Sequence, residues 1–159
     1  MELPEGVICT AAGHYVLAED THLSRWVEKA GRLDLGRKEI EPIRQFIPEG
    51  GVVIDAGAAI GDHAVVYAEY VGPTGHVYAF EPNPPSAHAC HLNTRALGNV
   101  TVIPAGLSSC SDAEGCLYVA ANRGASFVAG AGCGYYAQED PSQTPPADHH
   151  SPPDHPGRV

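Results

Sequence analysis

Two acidic residues and one glycine-bearing turn carry most of the chemistry this sequence offers. The segment Val52-Val53-Ile54-Asp55-Ala56-Gly57-Ala58-Ala59-Ile60-Gly61-Asp62-His63 sets a carboxylate, Asp55, at the end of an apolar, β-branched run and turns at once into a helix. The first backbone N–H groups of a helix lack intrahelical partners, so such a turn offers a seat for a ligand carboxylate, while Asp55 beside it can attract an ammonium group. The second acid, Glu81, closes the next strand, Val77-Tyr78-Ala79-Phe80. Parallel strands end at the same edge of a sheet, so Asp55 and Glu81 are expected to converge on one crevice, where a carboxylate can accept from both hydroxyls of an unphosphorylated ribose. Ala58 and Ala59 leave only Gly57 and Gly61 of a G-x-G-x-x-G fingerprint, so no diphosphate cradle is expected and a nicotinamide-dependent oxidoreductase ranks behind other nucleotide-binding functions.

These residues need a parallel sheet to position them, and the chain around them has that rhythm. Val52 to Ile54 reads as a strand covered on both faces. A helix follows over Asp62 to Val71 and stops at Gly72-Pro73. His76 to Phe80 is a second strand, Pro84 and Pro85 open a helix running to about Leu97, and Val100 to Ile103 is a third strand. Strand, helix, strand, helix, strand is the α/β pattern of right-handed crossovers. Upstream, Val7 to Thr10 and His14 to Ala18 suggest a hairpin. Asp20 or Thr21 can cap a helix whose apolar face is Leu23, Trp26, Val27 and Ala30, and Ile40, Ile43 and Ile47 share one face of a second helical segment with Pro42 in its first turn. Downstream, Cys116 to Ala120 and Ala125 to Ala129 look like a hairpin around Asn122 to Gly124. From Gln138 to Val159 there are six prolines, three histidines and almost no apolar residues, too little to offset the entropy of ordering, so a disordered tail is expected. The division expected is an N-terminal hairpin and helices over 1–48, a nucleotide-binding unit with a hairpin insertion over 49–137, and the tail over 138–159.

Composition narrows the partners. With 19 acidic against 9 basic residues and a formal charge of −10, the chain has no broad cationic field for nucleic acid or anionic lipid, and neither is expected as a partner. The N-terminus lacks the basic and apolar stretches of a secretory signal, and no apolar run approaches the about 20 residues that span a bilayer, so a cytoplasmic location is expected. Five cysteines without a C-x-x-C pair signal neither a disulfide framework nor a zinc knuckle. His149, His150 and His155 lie among Pro and Asp, and no metal is expected.

Val53-Ile54-Asp55-Ala56-Gly57-Ala58-Ala59-Ile60-Gly61-Asp62-His63 together with Val77-Tyr78-Ala79-Phe80-Glu81-Pro82-Asn83 resembles the FkbM family of methyltransferases, whose pattern is a V-x-D-x-G-A-x-x-G-D-x block followed by a V-x-A-F-E-P-N block. Glu41-Pro42, Asn93, Val100 and Ala105-Gly106-Leu107-Ser108 also stand where such sequences commonly carry similar residues, and the resemblance covers about His14 to Gly134. It implies a Rossmann-like fold and S-adenosylmethionine as cofactor, with Asp55, Gly57, Ala58, Gly61, Asp62 and His63 around the methionine end and Glu81 and Pro82 at the ribose. It further implies O-methylation of a small hydroxylated acceptor, a metabolite or sugar. No catalytic base is assigned: His63 is near by position, but a histidine in a first helical turn is more often a packing or capping residue. Pro104 and Ala105 stand where an acid for the adenine amino group would follow the third strand. The resemblance implies a seven-stranded sheet and only three parallel strands can be counted, so this chain alone is expected to be an inactive, incomplete methyltransferase or a nucleotide-binding module. A frameshift would account for that, as would a partner chain that supplies the rest.

Overall fold

The computed structural model describes residues 3–108, 115–123 and 126–130. The expected tail lies outside the described residues.

The N-terminal hairpin forms as expected, with β1 (Val7–Cys9) antiparallel to β2 (Tyr15–Leu17). Helix α1 (Leu23–Ala30) follows, and Asp20 caps it: its Oδ2 accepts from Ser24 N–H at 2.7 Å and its Oδ1 from His22 N–H at 3.2 Å, satisfying donors that a helix start leaves unpaired. Of the apolar face its periodicity suggests, Val27 is buried and Leu23 partly buried against the same cluster, while Trp26 and Ala30 are exposed. Ser24 and Val27 are buried, whereas Trp26 is 59% exposed and meets the His22 ring edge-on at 5.9 Å between centroids. The Ser24 hydroxyl accepts from Leu17 N–H, which turns that face toward the hairpin. The second helical segment splits into α2 (Arg37–Ile40) and a 3-10 helix (Glu41–Phe46), with Pro42 in its first turn. Ile40 is buried, but Ile43 and Phe46 stand in solvent.

The central unit is a parallel sheet in the order β3 (Val52–Ala56), β4 (His76–Phe80), β5 (Val100–Ile103), connected by α3 (Ala64–Val71) and α4 (Pro84–Thr94). It is a partial Rossmann-like α/β unit with flanking helices. Pro84 and Pro85 start α4 where the missing N–H costs nothing, and Asn99 fixes the return into β5 by donating to the carbonyls of Ala68 and Gly72 at 2.9 Å each.

Both crossover helices cover the same face of the sheet. Ala64, Ala68 and Val71 of α3 and Cys90 of α4 pack with Val77 and Ala79 and with the partly buried Val53, Val100 and Val102. Side chains alternate across a strand, so Val52, Ile54 and Tyr78 point the other way, and there Val52 is 66% and Ile54 63% exposed. The expectation that Val52 to Ile54 is covered on both faces is therefore corrected: among the described residues no element lies over that second face, and β3 is also an edge strand.

The hairpin and the sheet unit meet through α4. Asn93 donates to the carbonyls of Tyr15 and Ile60 and accepts from Tyr15 N–H, all at 2.8 Å, which ties β2 to the glycine turn. On the other side Arg37 bridges Asp34 and Glu69, pinning the segment before α2 onto α3. The predicted later hairpin is present as β6 (Gly115–Tyr118) antiparallel to β7 (Phe127–Gly130). Its tip reaches back to the N-terminal segment, where Thr21 N–H donates to the Ala121 carbonyl and Arg123 N–H to Asp20 Oδ1.

Candidate functional site

The expected crevice forms at the C-terminal edge of the sheet. Asp55 and Ala79 are register partners on β3 and β4, and Glu81 follows one residue past the end of β4, so both acids reach the turn before α3. Asp55 lies on the helix-covered face and is 7% exposed. Its Oδ2 is fully buried and has no hydrogen-bond partner, an arrangement that costs free energy unless a donor arrives. Burial pushes its pKa up to about 6; His63 opposes the shift, while Asp62 and Glu81 add to it.

Glu81 is buried at its strand end. It is 8% exposed, and its two oxygens are tied to backbone: Oε2 accepts from Ala59 N–H at 2.9 Å and Oε1 from Asn83 N–H at 2.8 Å. Burial raises its pKa and those two bonds oppose the rise. A carboxylate has about four lone-pair sites, so two remain for ligand hydroxyls.

The turn itself is more occupied than a bare helix start. Gly57 and Ala58 N–H both donate to the Phe80 carbonyl, at 2.8 and 3.0 Å, Ala59 N–H goes to Glu81 and Gly61 N–H to the Ala58 carbonyl. Helix α3 begins at Ala64, two residues later than expected, with His63 at its N-cap. Burial raises the pKa of Asp62; the His63 ring and the backbone N–H groups of Asp62 and His63 face its carboxylate and oppose the rise. The amides expected to seat a ligand carboxylate thus face a protein carboxylate.

The two glycines have different work. A side chain at Gly57 (φ 82°) would meet nothing within 4 Å, so the turn has open space there for a close ligand approach. A Cβ at Gly61 (φ 93°) would come within 3.1 Å of Cys90 Sγ and 3.3 Å of Thr94 Cγ2, so Gly61 lets α4 pack against the turn. His63 packs over Gly36, whose added Cβ would overlap the imidazole at 1.8 Å, and its Nε2 lies 3.3 Å from Glu39 Oε2. That is the packing role weighed for it from sequence. Ala58 is buried, and a Cβ at Gly106 would stand 3.8 Å from Pro82 Cβ and 3.9 Å from Val128 Cγ2.

Three participants were given no role by the sequence. Ala59 takes a positive φ of 47°, uncommon for a residue with a Cβ. Asn83 supplies the second donor to Glu81. Cys90 is buried against the cluster, and burial with the charges of Asp55, Glu81 and Asp62 pushes its thiol up to about 12. Among the described residues no group of three His, Cys, Asp or Glu side chains could hold a metal ion, no helix is long and apolar enough to cross a membrane, and Cys9, Cys90 and Cys116 are free thiols. Cys110 and Cys133 lie outside the described residues.

Over 56 residues the chain is 46% identical to a protein-L-isoaspartate O-methyltransferase of Ignicoccus hospitalis, a match covering 34% of this chain and 26% of that protein. Part of this chain resembles a methyltransferase. A second protein-L-isoaspartate O-methyltransferase, from Methanosarcina mazei, is 41% identical over 59 residues, covering 36% of this chain and 24% of that one. The chain spans about a quarter of the length of these curated relatives. No family model matches it, and the comparisons do not support the FkbM family in particular. Among solved structures it is similar to a SAM-dependent O-methyltransferase from Thermotoga maritima (TM-score 0.44, 25% identity, 69% of this chain and 43% of that chain). A SAM-dependent methyltransferase from Aquifex aeolicus is a further likeness (TM-score 0.40, 26% identity, 50% and 45%).

Proposed function

We propose that the crevice between the β3–α3 turn and Glu81 binds S-adenosylmethionine, and that this chain is the cofactor-binding portion of an O-methyltransferase. The observation that carries this is the orphaned, buried Oδ2 of Asp55 beside the open side of Gly57: a buried acceptor that needs a donor, next to room for one. Asp55 would receive the ammonium of the methionine end, and the two free lone-pair sites of Glu81 would receive the ribose hydroxyls. Pro82 would flank the nucleoside, with Ala58, Gly61, Asp62 and His63 shaping the turn around the methionine end. Bound there, the cofactor would supply an electrophilic methyl group on a sulfonium. The chain's own part is to bind and orient.

The names of the two curated relatives support an oxygen acceptor, and so does the FkbM resemblance; they differ in what bears it. The relatives' names point to an isoaspartyl carboxylate in a protein, and the FkbM motifs to a hydroxyl of a small metabolite or sugar. We favour the small hydroxylated acceptor, because the motif blocks that carry that resemblance, Asp55 to His63 and Val77 to Asn83, are the ones that build the crevice. A second reading, cofactor binding without turnover by this chain alone, is favoured by the bare second face of the sheet at Val52 and Ile54.

Calorimetric titration with S-adenosylhomocysteine tests the cofactor reading, and binding is expected. A chain that ignored S-adenosylhomocysteine and took up NAD would overturn it in favour of an oxidoreductase. Transfer of a radiolabelled methyl group to a panel of hydroxylated metabolites, against an isoaspartyl peptide, separates the acceptors. Binding with no transfer to either is the outcome of the second reading.

A further inference from the structure

Three carboxylates, Asp55, Asp62 and Glu81, are gathered under one turn, each less than a tenth exposed, and Asp55 keeps one oxygen with no partner at all. The groups that act on Asp55 from the surrounding elements are His63 and Asp62 from the turn into α3 and Glu81 from the end of β4. Asp55 in turn bears on Tyr67 of α3 and Cys90 of α4. Glu39 stands behind, on His63 and Asp62. Among the described residues neither Lys nor Arg is among the groups that act on Asp55, and the His63 ring opposes the rise in its pKa. Glu81 is stabilised by two backbone N–H groups and Asp62 faces its own N–H and that of His63. Asp55 Oδ2 has no such support.

We propose that Asp55 couples the crevice to protons: a ligand bearing an ammonium group enters with loss of a proton from the Asp55 carboxyl group, and a ligand without one enters with no proton exchanged. This rests on the cofactor reading above. The proton balance is simple: the O–H bond of the neutral acid breaks, the proton goes to buffer, and the anion left behind pairs with the ammonium. A carboxyl facing two others in a buried site holds its proton until a cation arrives to replace it. With Asp55 titrating at about 6, affinity for the ammonium-bearing ligand should be about tenfold lower at pH 5 than at pH 7.

The experiment is calorimetric titration of the full chain at pH 6 in buffers of low and high ionisation enthalpy, with two probes. S-adenosylhomocysteine carries the ammonium; 5′-methylthioadenosine keeps the nucleoside and thioether without it. Expected is a binding enthalpy that changes with buffer for the first and not for the second, with affinity rising from pH 5 to pH 7 for the first alone. Asp55→Asn, which retains the shape of the side chain, should abolish both the buffer dependence and the rise. Tight S-adenosylhomocysteine binding with the same enthalpy in both buffers and no pH dependence overturns the proton coupling and leaves the cofactor reading standing. Unchanged proton release in Asp55→Asn overturns the assignment to Asp55. Binding of neither probe defeats the cofactor reading and the coupling with it.

Discussion

Glu81 and Ala59 are joined by a hydrogen bond of 2.9 Å from the Ala59 N–H to Glu81 Oε2, and Ala59 is the residue of the turn with a Cβ at positive φ. A left-handed residue with a Cβ costs roughly 1–2 kcal/mol, and a bond to a carboxylate stabilises by about 1.5–3 kcal/mol. The bond therefore offsets the strain, and Glu81 holds the end of β4 and the turn after β3 in one arrangement.

It follows that Glu81 cannot be removed without cost to the fold. Glu81→Ala leaves the N–H groups of both Ala59 and Asn83 without acceptors, and a loss of about 2–4 kcal/mol is expected in urea unfolding. Glu81→Gln keeps one acceptor oxygen and should lose about half as much. Equal stability of both variants with the parent would show that the two bonds contribute nothing. Cofactor affinities of these variants need comparing at matched fractions folded.

The two glycines of the turn should separate packing from ligand access. Gly61→Ala adds strain at φ 93° and a methyl against Cys90 and Thr94, so a loss of about 2–4 kcal/mol is expected from strain and overpacking together. Gly57→Ala adds strain alone, about 1 kcal/mol, but puts a methyl in the open side of the turn and should weaken S-adenosylhomocysteine binding. Thermal unfolding and titration of the two variants check this, and the reverse ordering of stabilities would contradict it.

How far the sequence reaches can be seen at these residues. Strands His76–Phe80 and Val100–Ile103 and the start of α4 at Pro84 agree with the sequence pattern, because runs of β-branched and aromatic residues and Pro at a first helical turn are local signals. Convergence of Asp55 and Glu81 was legible too, since parallel strands share an edge. Burial was not. An acid at a strand end reads as solvated until the turn that folds over it is known, and Glu81 is held by the backbone N–H groups of Ala59 and Asn83, whose direction their residue types do not reveal. The bare face of β3 escaped for a similar reason: Val52-Val53-Ile54 is apolar throughout, and only the placement of α3 and α4 on one side decides which of the three are covered.

That bare face has a measurable consequence. Val52 and Ile54 are 66% and 63% exposed on a strand that is at the edge of its sheet among the described residues, a combination that invites strand addition or collapse against another apolar surface. Ile54→Lys should leave the unfolding free energy within about 0.5 kcal/mol of the parent, since the side chain already stands in water, and should lower light scattering on concentration or mild heating. Val53→Lys, on the helix-covered face, should unfold the chain instead. Scattering unchanged by Ile54→Lys would mean that this face does not drive association.

Stability should depend on pH in opposite senses at two of the buried aspartates, Asp55 and Asp20. Asp55 titrates at about 6 in the folded chain against an ordinary value of 3.8 because burial disfavours its charge. The folded state thus binds this proton more tightly than the unfolded one. The corresponding stability is fully present below about 3.8 and lost as pH rises through about 6, about 3 kcal/mol for a shift of roughly two units. Asp20 is the reverse: burial alone would raise it, but the N–H groups of Ser24 and Arg123, the Ser24 hydroxyl and His22 N–H outweigh that and hold it below 3.8. Its contribution is present above 3.8 and disappears as pH falls through the lower folded value. Asp55→Asn should therefore gain on the parent as pH rises from 4 to 7, while Asp20→Asn should be destabilised at pH 7 and approach the parent at the acid end. Urea midpoints for the three proteins from pH 3 to pH 8 test both senses at once. A parent and an Asp55→Asn variant with parallel curves across pH 4 to 7 would show that Asp55 titrates normally, and would remove the electrostatic support for its place in the crevice.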